Sequence, residues 1–296
     1  MARPDDSVSL SALARLGFAE LSEAAASLSE LASILDQPRT VLLEAADAAD
    51  PDAAVRGLLR VARRDEAPLR RLLVDEETRR RVWRVFGASE GLADFFLRHP
   101  DQLTVLEGPL TALPSSDELR ERLLASVGAH DGFARSSGDE AVVAIRVAYR
   151  RNLAAIAAYD LSHPAPETII APVSAALADI AGAALEASLA VARTRLRDSM
   201  GPGEVAATRL AVIGMGKAGA RELNYVSDVD VIFVGGSSDE EVVTEARAID
   251  IATRLARETM RNLDAIEVEP PLWEVDAALR PEGKQGALVR SLASHL

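Results

Sequence analysis

The stretch Arg209-Leu-Ala-Val-Ile-Gly-Met-Gly-Lys-Ala-Gly-Ala-Arg-Glu-Leu-Asn-Tyr-Val-Ser-Asp-Val-Asp-Val-Ile-Phe-Val234 decides how this chain is read. An apolar run, Leu210–Ile213, leads into Gly214, Gly216 and Gly219, a G-x-G-x-x-G after an expected strand. A dinucleotide-binding turn opens the same way, but its acidic residue comes about 20 residues later, at the end of the next strand. Here Asp228 and Asp230 come sooner and precede the apolar run Val229–Val234. The spacing therefore reads as strand, glycine turn, short helix from Ala218, and a second strand opening with D-x-D. The Walker pattern G-x-x-x-x-G-K-[ST] is absent, which disfavours a P-loop ATPase.

In a strand, residues i and i+2 share a face, so Asp228 and Asp230 stand side by side. Their mutual repulsion disfavours ionising both. A hard divalent cation relieves it, and Mg²⁺ is commonly held by one or two carboxylates plus substrate phosphates. A polar strand entry or helix cap is the plainer reading of a bare D-x-D. The glycine turn shifts the balance, because its N–H groups can cradle phosphate. Lys217 lies in that turn, and Lys217 and Lys284 are the only lysines in a chain whose 33 basic residues are otherwise arginine. A compact ammonium suits phosphate oxygens. Downstream, Asp276 sits in an apolar, strand-like stretch where an unpaired carboxylate is costly. It reads as a third metal ligand or general base, or alone as a salt-bridge partner of Arg280.

Composition sets the wider frame. The 296 residues carry a net charge of −13, so there is no basic footprint for a nucleic-acid backbone. With no cysteine, disulfides and thiol chemistry are excluded. No membrane span or secretory leader is expected, and the chain reads as cytoplasmic. Helices are expected at Ser7–Leu16, Phe18–Leu35, from Pro51, Glu66–Phe86, Gly91–Leu97, Asp117–Val127, Glu140–Leu161 and Ile169–Arg197. Arg79–Arg84 reads as a solvated helix face, Trp83, Phe95 and Phe96 as core, and the four histidines as surface or loop. After Met200-Gly-Pro-Gly203 the texture changes. Strands are expected at Leu210–Ile213, Val229–Val234, Ala265–Val268 and Leu272–Asp276, with a helix over Glu240–Asn262. The expected organisation is a helical region over 1–200 and an α/β domain over 204–296.

The order of strand, glycine turn, short helix and D-x-D strand resembles the palm of DNA polymerase β-type nucleotidyltransferases. The stretch from Gly214 to Val234 resembles, more specifically, the signature of the glutamine synthetase adenylyltransferase/adenylyl-removing family. Val275-Asp-Ala-Ala-Leu-Arg280-Pro-Glu-Gly-Lys-Gln-Gly-Ala-Leu-Val-Arg-Ser291 resembles that family's third-carboxylate segment. That segment is usually nearer V-D-x-R-L-R-P, and Ala278 stands where the first Arg usually does. The helical segments Ala93–Leu103 and Arg146–Leu161 are similar to the family's N-terminal region.

The resemblance implies an α+β fold: an all-helical N-terminal region followed by a polymerase-β-like nucleotidyltransferase domain with a mixed sheet. It implies the N-terminal, AMP-removing half of a longer bifunctional enzyme controlling nitrogen assimilation, so the chain is expected to be a C-terminally truncated fragment. That half releases AMP from a tyrosine of glutamine synthetase by phosphorolysis, giving ADP, while the other half attaches AMP from ATP. Asp228, Asp230 and Asp276 would be catalytic and hold Mg²⁺. Gly214, Gly216, Lys217, Ser227 and Arg280 would bind phosphate or nucleotide, with Ser227 equally readable as a cap and Glu222 and Asn224 as local packing. Implied partners are adenylylated glutamine synthetase, phosphate and adenine nucleotide, with nitrogen-signalling regulatory proteins as further candidates. Two other readings stay open: a non-catalytic module docking on the synthetase, and a stand-alone nucleotidyltransferase for another hydroxyl.

Overall fold

The computed structural model describes residues 9–294. The expected helix start at Ser7 and the reading of His295 lie outside the described residues. The chain divides into two compact units, Met1–Leu113 with Leu153–Ile169, and Pro114–Asn152 with Ile170–Leu296.

The first unit is helical: α1 (Leu10–Arg15), α2 (Leu21–Leu35), α3 (Arg39–Leu42), α4 (Pro51–Arg64), α5 (Ala67–Leu72), α6 (Glu76–Ala88) and α7 (Glu90–Arg98). Asp50 caps α4 by accepting from the Ala53 N–H at 2.8 Å, and Pro51 fills the first position, which needs no donor. Asp52 is buried and accepts from the N–H groups of Ala19 and Glu20, which places the start of α2 after Phe18. Trp83, Phe86, Phe95 and Phe96 are fully buried, and Phe86 stacks on Phe96 with centroids 5.7 Å apart.

Two expectations are corrected in this unit. Glu66–Phe86 is not one helix. Asp75 accepts from the Thr78 N–H at 2.8 Å and starts α6 afresh after the short α5. Nor is Arg79–Arg84 a solvated face. Arg81 is 1% exposed and donates to the carbonyls of Leu106 and Gly108 at 2.8 and 2.7 Å. Arg79 forks onto Glu44 with two 2.7 Å bonds. Backbone carbonyls that end the turn at Pro100–Leu106 need donors, and Arg81 supplies them.

The second unit contains α8 (Ser116–Ser126), the first part of α9 (Asp139–Ser162), α10 (Ile170–Met200), α11 (Pro202–Ala207), β1 (Thr208–Gly214), α12 (Gly216–Ala220), β2 (Val229–Ser237), α13 (Glu245–Asp264), β3 (Val275–Asp276) and β4 (Val289–Arg290). Ser115 and Glu118 form a reciprocal capping box on α8. Strand β2 is central. β1 pairs antiparallel along one edge, from Thr208↔Ser237 to Gly214↔Val231. On its other edge β2 pairs parallel with β3 and then β4, through Asp230↔Asp276 and Phe233↔Val289. The sheet is mixed, and the fold is α+β as expected.

Val229, Val231, Phe233 and Gly235 alternate as the buried face of β2. α13 covers it, and a Cβ on Gly235 would press on Ala252 of that helix. Residues 170–197 of α10 are long and apolar enough to cross a membrane by length and composition, yet 72% of the most apolar window is buried. The helix packs against α8 and α13.

Three further expectations are adjusted. α13 begins at Glu245, capped by Thr244, and runs to Asp264. Ala265–Val268 is not a strand: Ile266 and Val268 are 92% and 89% exposed, and the Ala265 carbonyl accepts from Arg146 instead of a neighbouring strand. The expected strand over Leu272–Asp276 shortens to Val275–Asp276, because Pro270 and Pro271 lack the N–H a ladder requires.

Candidate metal and phosphate site

Strand β1 ends at Gly214, and the chain reverses through Met215 into the single turn of α12. The Met215 N–H donates to the Asp230 carbonyl at 2.8 Å, which ties the turn to β2. Gly216 adopts φ +50°, and a Cβ there would lie 2.7 Å from Asp230 Oδ2. A Cβ on Gly219 would collide with the Gly214 carbonyl oxygen. Two of the three glycines thus permit close approach, one of backbone to backbone and one of backbone to carboxylate.

α12 has no side-chain N-cap, so the N–H groups of Gly216, Lys217 and Ala218 start the helix without an intrahelical acceptor. Lys217 Nζ donates to Asn224 Oδ1 at 3.3 Å, and Asn224 Nδ2 donates to the Val226 carbonyl at 3.1 Å. Ser227 Oγ lies 3.4 Å from Asp228 Oδ1. Arg221 closes α12 in a left-handed conformation and pairs with Asp179 on α10.

The three acidic residues converge. Each of Asp228, Asp230 and Asp276 offers a carboxylate oxygen, and these oxygens all lie within 4.8 Å of one another. Asp228 immediately precedes β2, Asp230 is on it, and Asp276 faces Asp230 across the parallel pairing. Asp228 is exposed and the other two are half-buried. Burial raises the pKa of Asp230 above its ordinary value, the charges of Asp228 and Asp276 raise it further, and Lys217 opposes them. The Ala278 N–H donates to Asp276 Oδ1 at 2.7 Å and fixes that carboxylate.

Arg280 is placed differently from the other expected phosphate ligands. Its guanidinium donates to the carbonyls of Ala277, Lys284 and Gly286, at 2.6, 3.1 and 3.2 Å, and folds the loop between β3 and β4. It makes no ion pair with Asp276 among the described residues. Both residues line a cavity of about 480 Å³, together with Arg257, Arg261 and Lys284. Sequence reasoning did not single out Asp179, Arg221 or Arg257. Ion pairs and cavity walls between distant segments leave no local spacing signal.

A family profile described as glutamate-ammonia ligase adenylyltransferase matches residues 79–295. Among curated proteins, the chain is 53% identical to the bifunctional glutamine synthetase adenylyltransferase/adenylyl-removing enzyme of Leifsonia xyli subsp. xyli, covering 98% of this chain and 29% of that protein. Proteins of the same name from Streptomyces avermitilis and Mycolicibacterium smegmatis are 43% and 41% identical, over 98% and 97% of this chain. The chain spans less than a third of the length of each of these relatives. With a match over most of its length, the chain belongs to the glutamate-ammonia ligase adenylyltransferase family.

Proposed function

We propose that this chain removes AMP from an adenylylated tyrosine of glutamine synthetase by phosphorolysis, releasing ADP, as one part of a bifunctional enzyme. The observation that carries this reading is the convergence of Asp228, Asp230 and Asp276 beside the turn of Gly216 and Lys217. The names of the relatives supply the substrate.

The carboxylate trio fits Mg²⁺. It offers hard oxygen donors, none in an ion pair with Arg or Lys among the described residues, and a cation would offset the burial that raises the pKa of Asp230 and the charges of Asp228 and Asp276 that raise it further. Asp228, Asp230 and Asp276 would hold the ion. When bound, Mg²⁺ would neutralise charge on the reacting phosphoryl oxygens. The open N–H groups of Gly216, Lys217 and Ala218 would donate to the phosphate, and the Lys217 ammonium would add a positive charge held near Asn224. Arg280 would shape the loop that carries Asp276. Inorganic phosphate attacks the α-phosphorus in line. The bond from phosphorus to the tyrosine oxygen breaks, and the tyrosinate takes a proton from solvent. Positioning and electrostatics supply most of the rate in such a transfer.

The test mixes the chain with AMP-modified glutamine synthetase, Mg²⁺ and phosphate, with Asp228→Asn alongside. ADP that requires both phosphate and Asp228 supports the reading. Binding to the synthetase without any nucleotide product would instead favour a docking module.

A further inference from the structure

The third carboxylate rests on little sheet. β3 is two residues long, and its pairing with β2 consists of Val229↔Val275 and Asp230↔Asp276, extended by the Val229 N–H donating to the Glu274 carbonyl. So short a ladder is a weak determinant of register. The connection from α13, residues 265–274, has no helix or strand of its own.

One face of α9 holds that connection. Arg146 is fully buried, and its guanidinium makes four bonds, all to backbone carbonyls. Nε and Nη2 donate to Asn262 at 3.0 and 2.8 Å, Nη2 to Ala265 at 2.9 Å, and Nη1 to Glu269 at 2.6 Å. One turn on, Arg150 donates to the carbonyls of Pro270 and Pro271 at 2.9 and 2.7 Å, and pairs with the buried Glu269 carboxylate at 3.1 Å. Between them Tyr149 meets Trp273 edge-on, with centroids 6.2 Å apart. Residues i, i+3 and i+4 on one helix face thus grip the connection from the end of α13 to within three residues of Asp276. Two fully or largely buried guanidinium groups are costly to desolvate, and here their donors go to carbonyls that no strand satisfies.

We propose that Arg146 and Arg150 are positioning residues for Asp276: they set where the third carboxylate stands, and so how tightly the trio holds a divalent cation. The proposal rests on the metal reading of the trio. Neither arginine touches the carboxylates. Groups bonded directly to a metal ligand typically change metal affinity about 10–100-fold when replaced, and a clamp on the ligand's own segment is expected at the lower end of that range.

Mn²⁺ is the probe, with free ion counted by electron paramagnetic resonance, and no substrate is needed. Arg150→Gln is the principal variant because Arg150 lies at the edge of the clamp, with Arg146→Lys beside it. Arg193→Lys is the control. Arg193 is also half-buried and donates to the carbonyls of Val205 and Thr208, at the entry to β1. The expected result is wild-type Mn²⁺ binding that weakens in Asp276→Asn, and weakens about ten-fold or more in folded Arg150→Gln. Arg193→Lys should keep wild-type Mn²⁺ affinity even where its melting temperature falls. In an Asp276→Asn background, Arg150→Gln should cost nothing further, since the clamp acts through that carboxylate. Wild-type affinity in folded Arg150→Gln overturns the positioning role, as does an undiminished loss in the Asp276→Asn background. If wild type and Asp276→Asn bind Mn²⁺ alike, the metal reading itself fails and takes the positioning role with it.

Discussion

Gly216 and Asp230 share a space that only glycine leaves free. At φ +50° the site of a Gly216 Cβ lies 2.7 Å from Asp230 Oδ2. Gly216→Ala should therefore fold, with a stability loss of about 1–2 kcal/mol from the left-handed backbone. The methyl group forces the Asp230 carboxylate to shift from its place in the trio. Mn²⁺ titration should show weaker binding, and the rate of nucleotide release should fall about a hundred-fold, in line with displacement of a positioned group. Denaturant melts and the Mn²⁺ titration separate the two effects.

Asp230 makes stability depend on pH in a direction opposite to most carboxylates. Burial and the charges of Asp228 and Asp276 raise its pKa above the ordinary 3.8. The folded state therefore binds its proton more tightly than the unfolded state does. That contribution is fully present below pH 3.8 and is lost as pH rises through the raised value. In the presence of a chelator, Asp230→Asn should melt higher than wild type at neutral pH, and the gap should close on acidification. Saturating Mg²⁺ should raise the wild-type melting temperature and leave Asp230→Asn nearly unchanged.

Variants of Lys217 and Asn224 should separate phosphate binding from metal binding. Lys217 is held 3.3 Å from Asn224 Oδ1 and forms no ion pair with the trio among the described residues. Lys217→Met should raise the KM for phosphate about ten-fold, the scale of one charge-assisted hydrogen bond. Mn²⁺ affinity should not fall, because the variant removes a positive charge that acts on Asp230. Asn224→Ala should show a smaller effect of the same kind, because it loosens the ammonium without removing it. Initial rates over a phosphate series decide between this and a purely structural lysine.

Arg81 supports the first unit rather than the site. Removing its side chain leaves the carbonyls of Leu106 and Gly108 without their donor. Arg81→Ala should cost about 2–4 kcal/mol, from unsatisfied buried groups and lost packing, whereas Arg80→Ala, on an exposed position paired with Glu76, should cost under about 1 kcal/mol. Urea melts of the two variants give the comparison.

What the sequence makes legible here is local. The turn of Gly214, Gly216 and Gly219 and the pair Asp228 and Asp230 lie within one strand–turn–strand stretch, so spacing alone points to them. Asp276 is separated from them by α13, and a carboxylate in an apolar stretch together with the resemblance of its segment brought it forward. The structure then places it opposite Asp230. Arginines bonded to main-chain carbonyls are not legible in this way. Arg81, Arg146 and Arg150 look like polar-face residues of amphipathic helices, because any residue type can supply their acceptors. The same blindness explains Ala265–Val268, where Ile266 and Val268 suggest a strand but Arg146 takes the carbonyl a ladder would need. Strand β4 leaves no signal in the sequence, because two residues carry no period.

Under the proposed function, inorganic phosphate displaces tyrosine from the α-phosphorus at the site of Asp228, Asp230 and Asp276. Supplying ³²P-labelled phosphate with AMP-modified glutamine synthetase and locating the label in the product reads that step. The expected result is label in the β-phosphoryl group of ADP, formed by the wild-type chain and not by Asp276→Asn. Release of unlabelled AMP, or labelled ADP that persists in Asp276→Asn, would contradict it.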